Sequence, residues 1–257
     1  MAREKSRQDR QPRQPRATEP APEWKPKTEL GKKVKAKLIT DIDEILDRGL
    51  TILEPEMVDE LLQLESDLLL IGQSRGKFGG GQRRIFKQTQ KKTMEGNKPK
   101  FSTMAVVGDK NGHVGVGVGK AKETVPAREK AMRRAKLNII KIRRGNGAWD
   151  DNTTDAHTIP FKVEGKCGSV RIVLMPAPKG KGLVAEKDCA KVLKLAGIEN
   201  VWSKSYGQTK NRINMIYALV DALKKLSTTK LKPEHIERLS VLEGSRKENH
   251  GSTEEAQ

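Results

Sequence analysis

Between positions 114 and 119 the chain reads Val-Gly-Val-Gly-Val-Gly. On a β-strand that alternation puts the valines on one face and leaves the other without side chains. Small residues at Gly115, Gly117 and Gly119 let the strand pack against a helix. The flanking sequence agrees. Met104 and Val106 alternate on the incoming strand, and Asp109-Lys110-Asn111-Gly112 supplies the Asn-Gly pair favoured in tight hairpin turns. After Gly119 the period changes: Val125, Met132, Ala135 and Ile139 fall on one helical face, with Lys130, Arg133 and Arg134 opposite. Pro126 fits only near a helix start, which sets the N-terminus near Glu123. The segment 100–145 therefore predicts a β-β-α layer with a cationic outer surface.

Charge narrows the class of partner. The 257 residues carry 51 Lys/Arg and 33 Asp/Glu, a formal net charge of +18. Residues 71–145 alone hold 20 Lys/Arg against 4 Asp/Glu, whereas 41–70 hold one Arg against 10 acids. A basic excess confined to one stretch points to a polyanion-binding surface. Cys167 and Cys189 are too few for a disulfide framework and fit a reducing, cytosolic compartment. No apolar run approaches the ~18–20 residues of a membrane span, and MAREKSRQDR lacks the apolar region of a secretory signal.

In chain order, residues 1–27 form an Arg-, Gln- and Pro-rich basic arm too polar to bury a core, expected to be disordered or ordered by a partner. Residues 28–64 predict a helical extension in two pieces. The first is capped near Asp41 and stopped at Gly49; the second begins at Pro55. The extension's acidity suggests a spacer or a protein-facing element. The module 65–145 opens with a buried strand over Asp67–Gln73. A glycine-rich basic segment follows, with Phe86 and Phe101 assigned to the core and Phe78 left open. A polar linker spans 146–158, with His157 structural or RNA-contacting. A second module, 159–232, starts with a hairpin of Ile159–Glu164 and Ser169–Met175 turning at Gly165–Gly168. It continues with a helix over Glu186–Ala196, a strand over Val201–Ser205 and an amphipathic helix through Ile213, Ile216, Tyr217, Val220 and Leu223. After Pro233 a helical remnant is expected to fade into a polar tail over 233–257. Each module is expected to have its own core.

Competing chemistries fail on spacing. Gly115-x-Gly117-x-Gly119-Lys120 lacks the four-residue gap and the terminal Ser or Thr of a phosphate loop, and its third glycine comes too early for a dinucleotide fingerprint. Pro178-Lys179-Gly180-Lys181-Gly182-Leu183 resembles the Pro-x-x-x-Gly-Leu opening of small-molecule kinases related to galactokinase. There the chain continues Val184-Ala185 instead of the phosphate-binding serines. No nucleophile–base set or paired carboxylate stands out. The sequence thus predicts no catalytic residue, no cofactor and no metal.

The segments VVGDKNGHVGVGVGKAKE, AMRRAKLNIIKIRRG, HTIPFKVEGKCGSVRIVLMPAP, GLVA and LAGIENVWSKSYGQTKN closely resemble the universal S-five family of the small ribosomal subunit, in its archaeal/eukaryotic branch. The resemblance runs from about Asp67 to Leu226. It implies an α/β (α+β) fold of two modules: a double-stranded-RNA-binding-like N-terminal domain, then a ribosomal S-five C-terminal-type domain. It implies a structural, non-catalytic constituent of the cytoplasmic ribosome that binds small-subunit rRNA, contributes to assembly and translational accuracy, and sits where mRNA enters. Neighbours would be the S-three, S-four and S-eight families. The family's RNA-contacting hairpin is expected over Arg75–Lys87, with Arg83, Arg84 and Lys87 on its Arg-Arg-x-Arg segment, and 88–100 lengthening it. Predicted RNA contacts are Arg75, Lys77, Arg83, Arg84, Lys87, Lys120, Lys122, Arg143 and Arg144, with Lys166, Lys179 and Lys181 from the second module. A free RNA chaperone is the alternative that composition alone leaves open.

Overall fold

Three short helices open the computed structural model, which describes residues 24–74, 81–151 and 153–245. They are α1 (Glu29–Lys35), α2 (Ile42–Asp47) and α3 (Pro55–Leu61), one more than the periodicity suggests. Thr28 caps α1 by accepting from the Gly31 amide, and Asp41 precedes α2. Gly49 leaves α2 at φ +67°, a conformation suited to glycine.

The first module is a five-stranded sheet with one long helix. Its strands are β1 (Glu65–Leu69), β2 (Lys87–Thr93), β3 (Gly96–Gly108), β4 (His113–Ala121) and, after α4 (Thr124–Leu137), β5 (Ile139–Lys141). The sheet order is β1-β3-β4-β5, with β2 paired to the outer half of β3. The bare face of β4 does what the alternation requires. Ala135 lies over Gly115, Ala131 and Ala135 over Gly117, and Ala127 and Ala131 over Gly119, so close that any Cβ would collide with α4 backbone. The buried stripe of α4 is therefore Ala127, Ala131 and Ala135, while Val125 is 63% exposed, against expectation. A helix seated this deep on glycines has room only for alanines.

A short strand β6 (Arg143–Arg144) leads to the second module. This comprises β7 (Val163–Cys167), β8 (Val170–Pro176), β9 (Leu183–Val184), α5 (Lys187–Leu195), β10 (Val201–Tyr206) and α6 (Arg212–Thr228), with sheet order β7-β8-β10-β9. The hairpin turns at Gly168-Ser169, not at Gly165. Gly165 sits inside β7 because α6 crosses it at Ala218 and Ala222. The chain ends its described part with α7 (Pro233–Arg238) and β11 (Leu242–Glu243), which pairs antiparallel with β6. The expected fading tail is thus a strap returning to the first module.

Two separate module cores are not what forms. Leu69, Met104, Val106 and Val116 from the first sheet join Val192, Leu193, Ile216 and Leu219 in one continuous cluster. The faces of β3 and β4 opposite α4 are thus buried against the second module. Polar bonds key this seam: Asp188 accepts from the Leu70 amide at 3.0 Å, and Lys191 bridges to Asp67 at 2.8 Å. A second cluster binds the N-terminal helices, through Ile45, Met57 and Val58, to Val107 and Ala135 on the far side of the sheet. The extension is therefore no spacer. Its acids pair with first-module cations, Asp59 with Lys136 and Asp47 with Lys141.

Candidate nucleic-acid interface

Beyond the point where the second module stops covering it, the first sheet runs on as a two-stranded ribbon, β2 with the outer half of β3, tipped by the fully exposed Met94. Strand pairing decides which side each lysine occupies, because residues directly opposite share a face. The register pairs Lys87 with Ser102, Thr89 with Lys100, Lys91 with Lys98, and Ser102 with Lys120. Lys87, Lys91, Lys98, Lys100 and Lys120 thus stand on one face. It is the face that carries Met104 and Val106 inward against the second module. Lys98 pairs with Glu95. Among the described residues the other four, with Lys122 and Arg84, are exposed and have no ion-pair partner. The strand propensities explain the ribbon: Lys87-Gln-Thr-Gln-Lys-Lys-Thr93 has no apolar residue to bury, so it can only be a solvated edge strand, defended by charge.

The expected hairpin over Arg75–Lys87 is corrected by this geometry. Residues 88–100 do not lengthen that hairpin; they are the hairpin strands themselves. The segment around Arg83 and Arg84 folds back beside β1: the Gly72 amide donates to the Arg84 carbonyl at 2.8 Å, and the Arg84 amide donates to the Gln73 carbonyl at 3.1 Å. Arg83 is half-buried and Arg84 exposed. Arg75, Lys77 and Phe78 lie outside the described residues. Phe86 and Phe101 are half-buried and line a shallow pocket with Arg83 and Arg84, not the deep core.

Other predicted contacts are engaged internally. Arg143 binds Glu243 of the C-terminal strap and the carbonyl of Thr229. Arg144 donates to the carbonyls of Lys110 and Gly244 at 3.4 Å each; burial lowers its pKa, the nearby Asp109 and Glu199 charges opposing this. Lys179 is tied to Asp155 at 2.5 Å. Lys166 and Lys181 are exposed. A cleft of about 800 Å³ at the Lys110–Asn111 end of the seam contains Arg144, His157, Lys179 and Glu199, but its cations are largely spent on Glu65, Asp155 and backbone.

His157 is structural. It is buried, its Nε2 meets Asp151 at 2.9 Å and its Nδ1 meets Asn200 at 3.0 Å. Asp151 also accepts from the Thr153 and Lys179 amides, and these backbone hydrogen bonds hold its carboxyl well below the usual range. The described residues of the expected linker are therefore pinned at Asn146, Asp151 and His157. Sequence reasoning missed a second histidine node. His113, with no exposed side-chain surface, lies between Asp109 on Nδ1 at 2.7 Å and Asp43 on Nε2 at 2.8 Å. Burial alone would lower its pKa, but the hydrogen bonds and charges of Asp109 and Asp43 outweigh it and push the imidazole up to about 9. The Asp109–His113 spacing was visible; Asp43, 70 residues away, was not. Burial also pushes the Cys189 thiol up to about 12, which leaves it inert.

Among the described residues no cluster of three or more His, Cys, Asp or Glu could hold a metal, and no helix is long and apolar enough to cross a membrane. Comparison with known families agrees with the two-module architecture. Residues 85–143 match the ribosomal protein S5 N-terminal domain and 165–237 the ribosomal protein S5 C-terminal domain. The ribbon thus lies inside the first matched segment, and Arg83 and Arg84 just before it. The chain is 50% identical to the small ribosomal subunit protein uS5 of Nanoarchaeum equitans over 87% of its length and 96% of that relative. It is 46% identical to that of Methanocaldococcus jannaschii over 86% of its length and 96% of the relative. For Methanobrevibacter smithii the figures are 44%, 85% and 96%. On both matched domains and full-length archaeal relatives, the chain belongs to the uS5 family of structural, non-enzymatic small-ribosomal-subunit proteins.

Proposed function

We propose that this chain holds small-subunit rRNA by the cationic face of its ribbon, near the channel through which mRNA enters. There it contributes to subunit assembly and translational accuracy, beside members of the S-three, S-four and S-eight families. The observation that carries the RNA-binding part is the one-sided register of Lys87, Lys91, Lys98, Lys100 and Lys120 on a ribbon with no fold to support. Successive same-face positions on a strand lie roughly 6.8 Å apart, so the lysines meet a phosphodiester chain at several points. Arg83, Arg84 and Lys122 extend the surface. Arg143 and Arg144, tied to the C-terminal strap, act in this reading by fixing the platform. The position on the subunit and the link to accuracy rest on the family alone.

The test is a salt titration of full-chain binding to small-subunit rRNA. The double variant Lys91→Gln, Lys100→Gln should leave thermal unfolding unchanged, because both side chains are exposed. It should make the log–log salt dependence shallower by roughly 0.7–0.9 for each phosphate that is no longer neutralised. An unchanged slope would remove the ribbon from the interface. Co-sedimentation with small subunits through a sucrose gradient at moderate salt separates a resident constituent from a free chaperone, which would stay in the light fractions.

A further inference from the structure

The lysine face of the ribbon does not end in open solvent on its inner side. It runs into the second module, and at that corner lies a groove of about 360 Å³. One wall comes from the first module, with Gln73, Arg83 and Lys87. The other comes from the loop between β10 and α6, with Gln208, Lys210 and Asn211, and from Arg212 at the start of α6. Four cations and three amide side chains therefore converge on one groove from two modules, and among the described residues no acid lines it. We infer that this corner is a composite RNA-backbone site in which Lys210 and the start of α6 grip the same strand that the ribbon lysines hold. The inference rests on the RNA-binding reading above and adds a second-module wall that the sequence did not single out.

The wall is prepared for such a ligand. Gly207, at φ +84°, lets the loop pass so close to the Ser169 carbonyl that a Cβ would collide with it. The Thr209 and Asn211 amides then donate to the carbonyls of Gly207 and Gln208 at 2.9 and 3.1 Å, which holds the loop folded. Asn211 stands at the N-cap of the 17-residue α6 yet makes no side-chain capping bond, so the positive end of that helix opens on the groove without its own acceptor. Arg212 is anchored by Nη1 to Glu186 at 2.8 Å, while its Nε is buried and has no hydrogen-bond partner among the described residues. Glu186 also caps α5, accepting from the Asp188 and Cys189 amides at 3.0 and 3.3 Å. Asp188 in turn binds the Leu70 amide. A chain of bonds thus runs from the groove wall through the start of α5 to Leu70, just past β1, and ties the two walls together.

The cleft at the opposite end of the seam differs, since Lys110, Arg144 and Lys179 there already have carboxylate or carbonyl partners and Glu199 lines it. An anion entering the 360 Å³ corner displaces no internal partner of Lys87 or Lys210, both exposed and without ion pairs among the described residues. A phosphodiester is the ligand class these groups select. Guanidinium and ammonium groups meet the non-bridging oxygens, and the amide side chains can donate to or accept from a ribose hydroxyl.

Four full-length proteins, wild type, Lys210→Gln, Lys91→Gln with Lys100→Gln, and Lys230→Gln, should be titrated against small-subunit rRNA between about 50 and 200 mM salt, the range over which phosphate contacts show most clearly. Lys230 follows the far end of α6, roughly 26 Å from its start, and serves as a control for net charge. The corner predicts that Lys210→Gln makes the salt slope shallower by roughly 0.7–0.9, while Lys230→Gln does not. If the ribbon variant loses slope and Lys210→Gln matches wild type, the corner is wrong and the RNA-binding reading stands. If Lys210→Gln and Lys230→Gln lose slope equally, the effect is generic charge and the corner is wrong. If neither the ribbon variant nor Lys210→Gln changes the slope, both readings fall.

Discussion

His113 shows how much one side chain can tie together. Asp109 comes from its own hairpin turn, while Asp43 comes from α2 in the N-terminal extension. Asp43 also accepts from the backbone and hydroxyl of Ser245, at the end of the C-terminal strap. Three distant parts of the chain thus meet on one buried imidazolium. With its pKa raised from 6.5 to about 9, the group contributes stability that is complete below pH ~6.5 and is lost as pH rises through about 9. Asp43 and Asp109 both have lowered pKa values, so their contribution is lost in the opposite direction, as pH falls through the carboxylate range. Denaturant midpoints measured across pH should therefore hold steady from above the carboxylate range to about pH 6.5 and fall from about pH 6.5 to 9. A His113→Phe variant should abolish that alkaline slope. It should also cost about 3–5 kcal/mol at neutral pH, because two carboxylates are left facing each other in a buried site. An alkaline limb that persists in the variant would assign it to other groups.

At the scale of elements, the decisive contact is α4 on β4. Gly117 has the Ala135 amide and the Ala131 carbonyl where a Cβ would stand, and both are helix backbone that cannot rotate away. Gly117→Ala should therefore destabilise the protein by about 1–3 kcal/mol, and Gly117→Val by more, read as a shift of the urea midpoint at unchanged m-value. By contrast, Gly96→Ala at the ribbon tip meets no atom within 4 Å; its penalty comes only from φ +107°. The contrast separates close packing from backbone strain. The ribbon itself adds little to stability, since every residue of β2 but Thr93 is exposed. Its sequence is therefore little constrained by the fold.

Across the whole molecule, the shared core argues for cooperative unfolding. Leu69, Met104 and Val116 of the first module and Val192 and Leu193 of the second lie in one buried cluster, so parting the modules would expose apolar surface on both. A calorimetric scan of the free protein should give one main transition; two well-separated transitions would mean that the seam contributes little. The strap makes the same point, because β11 pairs with β6 across about 100 residues of chain and holds Arg143 by Glu243. Much of this was readable in advance. The hairpin turn at Asp109–Gly112, the start of α4, the span of α5 and the amphipathic α6 are local, and turn chemistry, capping and periodicity report them directly. The positions that local pattern misplaces are those decided by a distant partner: Gly165 reads as a turn but is a strand position beneath Ala218, and Val125 reads as core but faces water.

The amino-acid order by itself determined the alternating strand, its helix, the concentration of positive charge and the membership of both modules in one family. Each is written in neighbours no more than a few residues apart, or in motifs that tolerate no other spacing. Only the tertiary structure decided which cations remain available. Arg143, Arg144 and Lys179 look identical in sequence to Lys87, Lys100 and Lys210, yet the first three find partners brought in from 24 to 100 residues away and the last three find none among the described residues. Electrostatic pairing acts through space, and the chain's order carries no distance until it has folded.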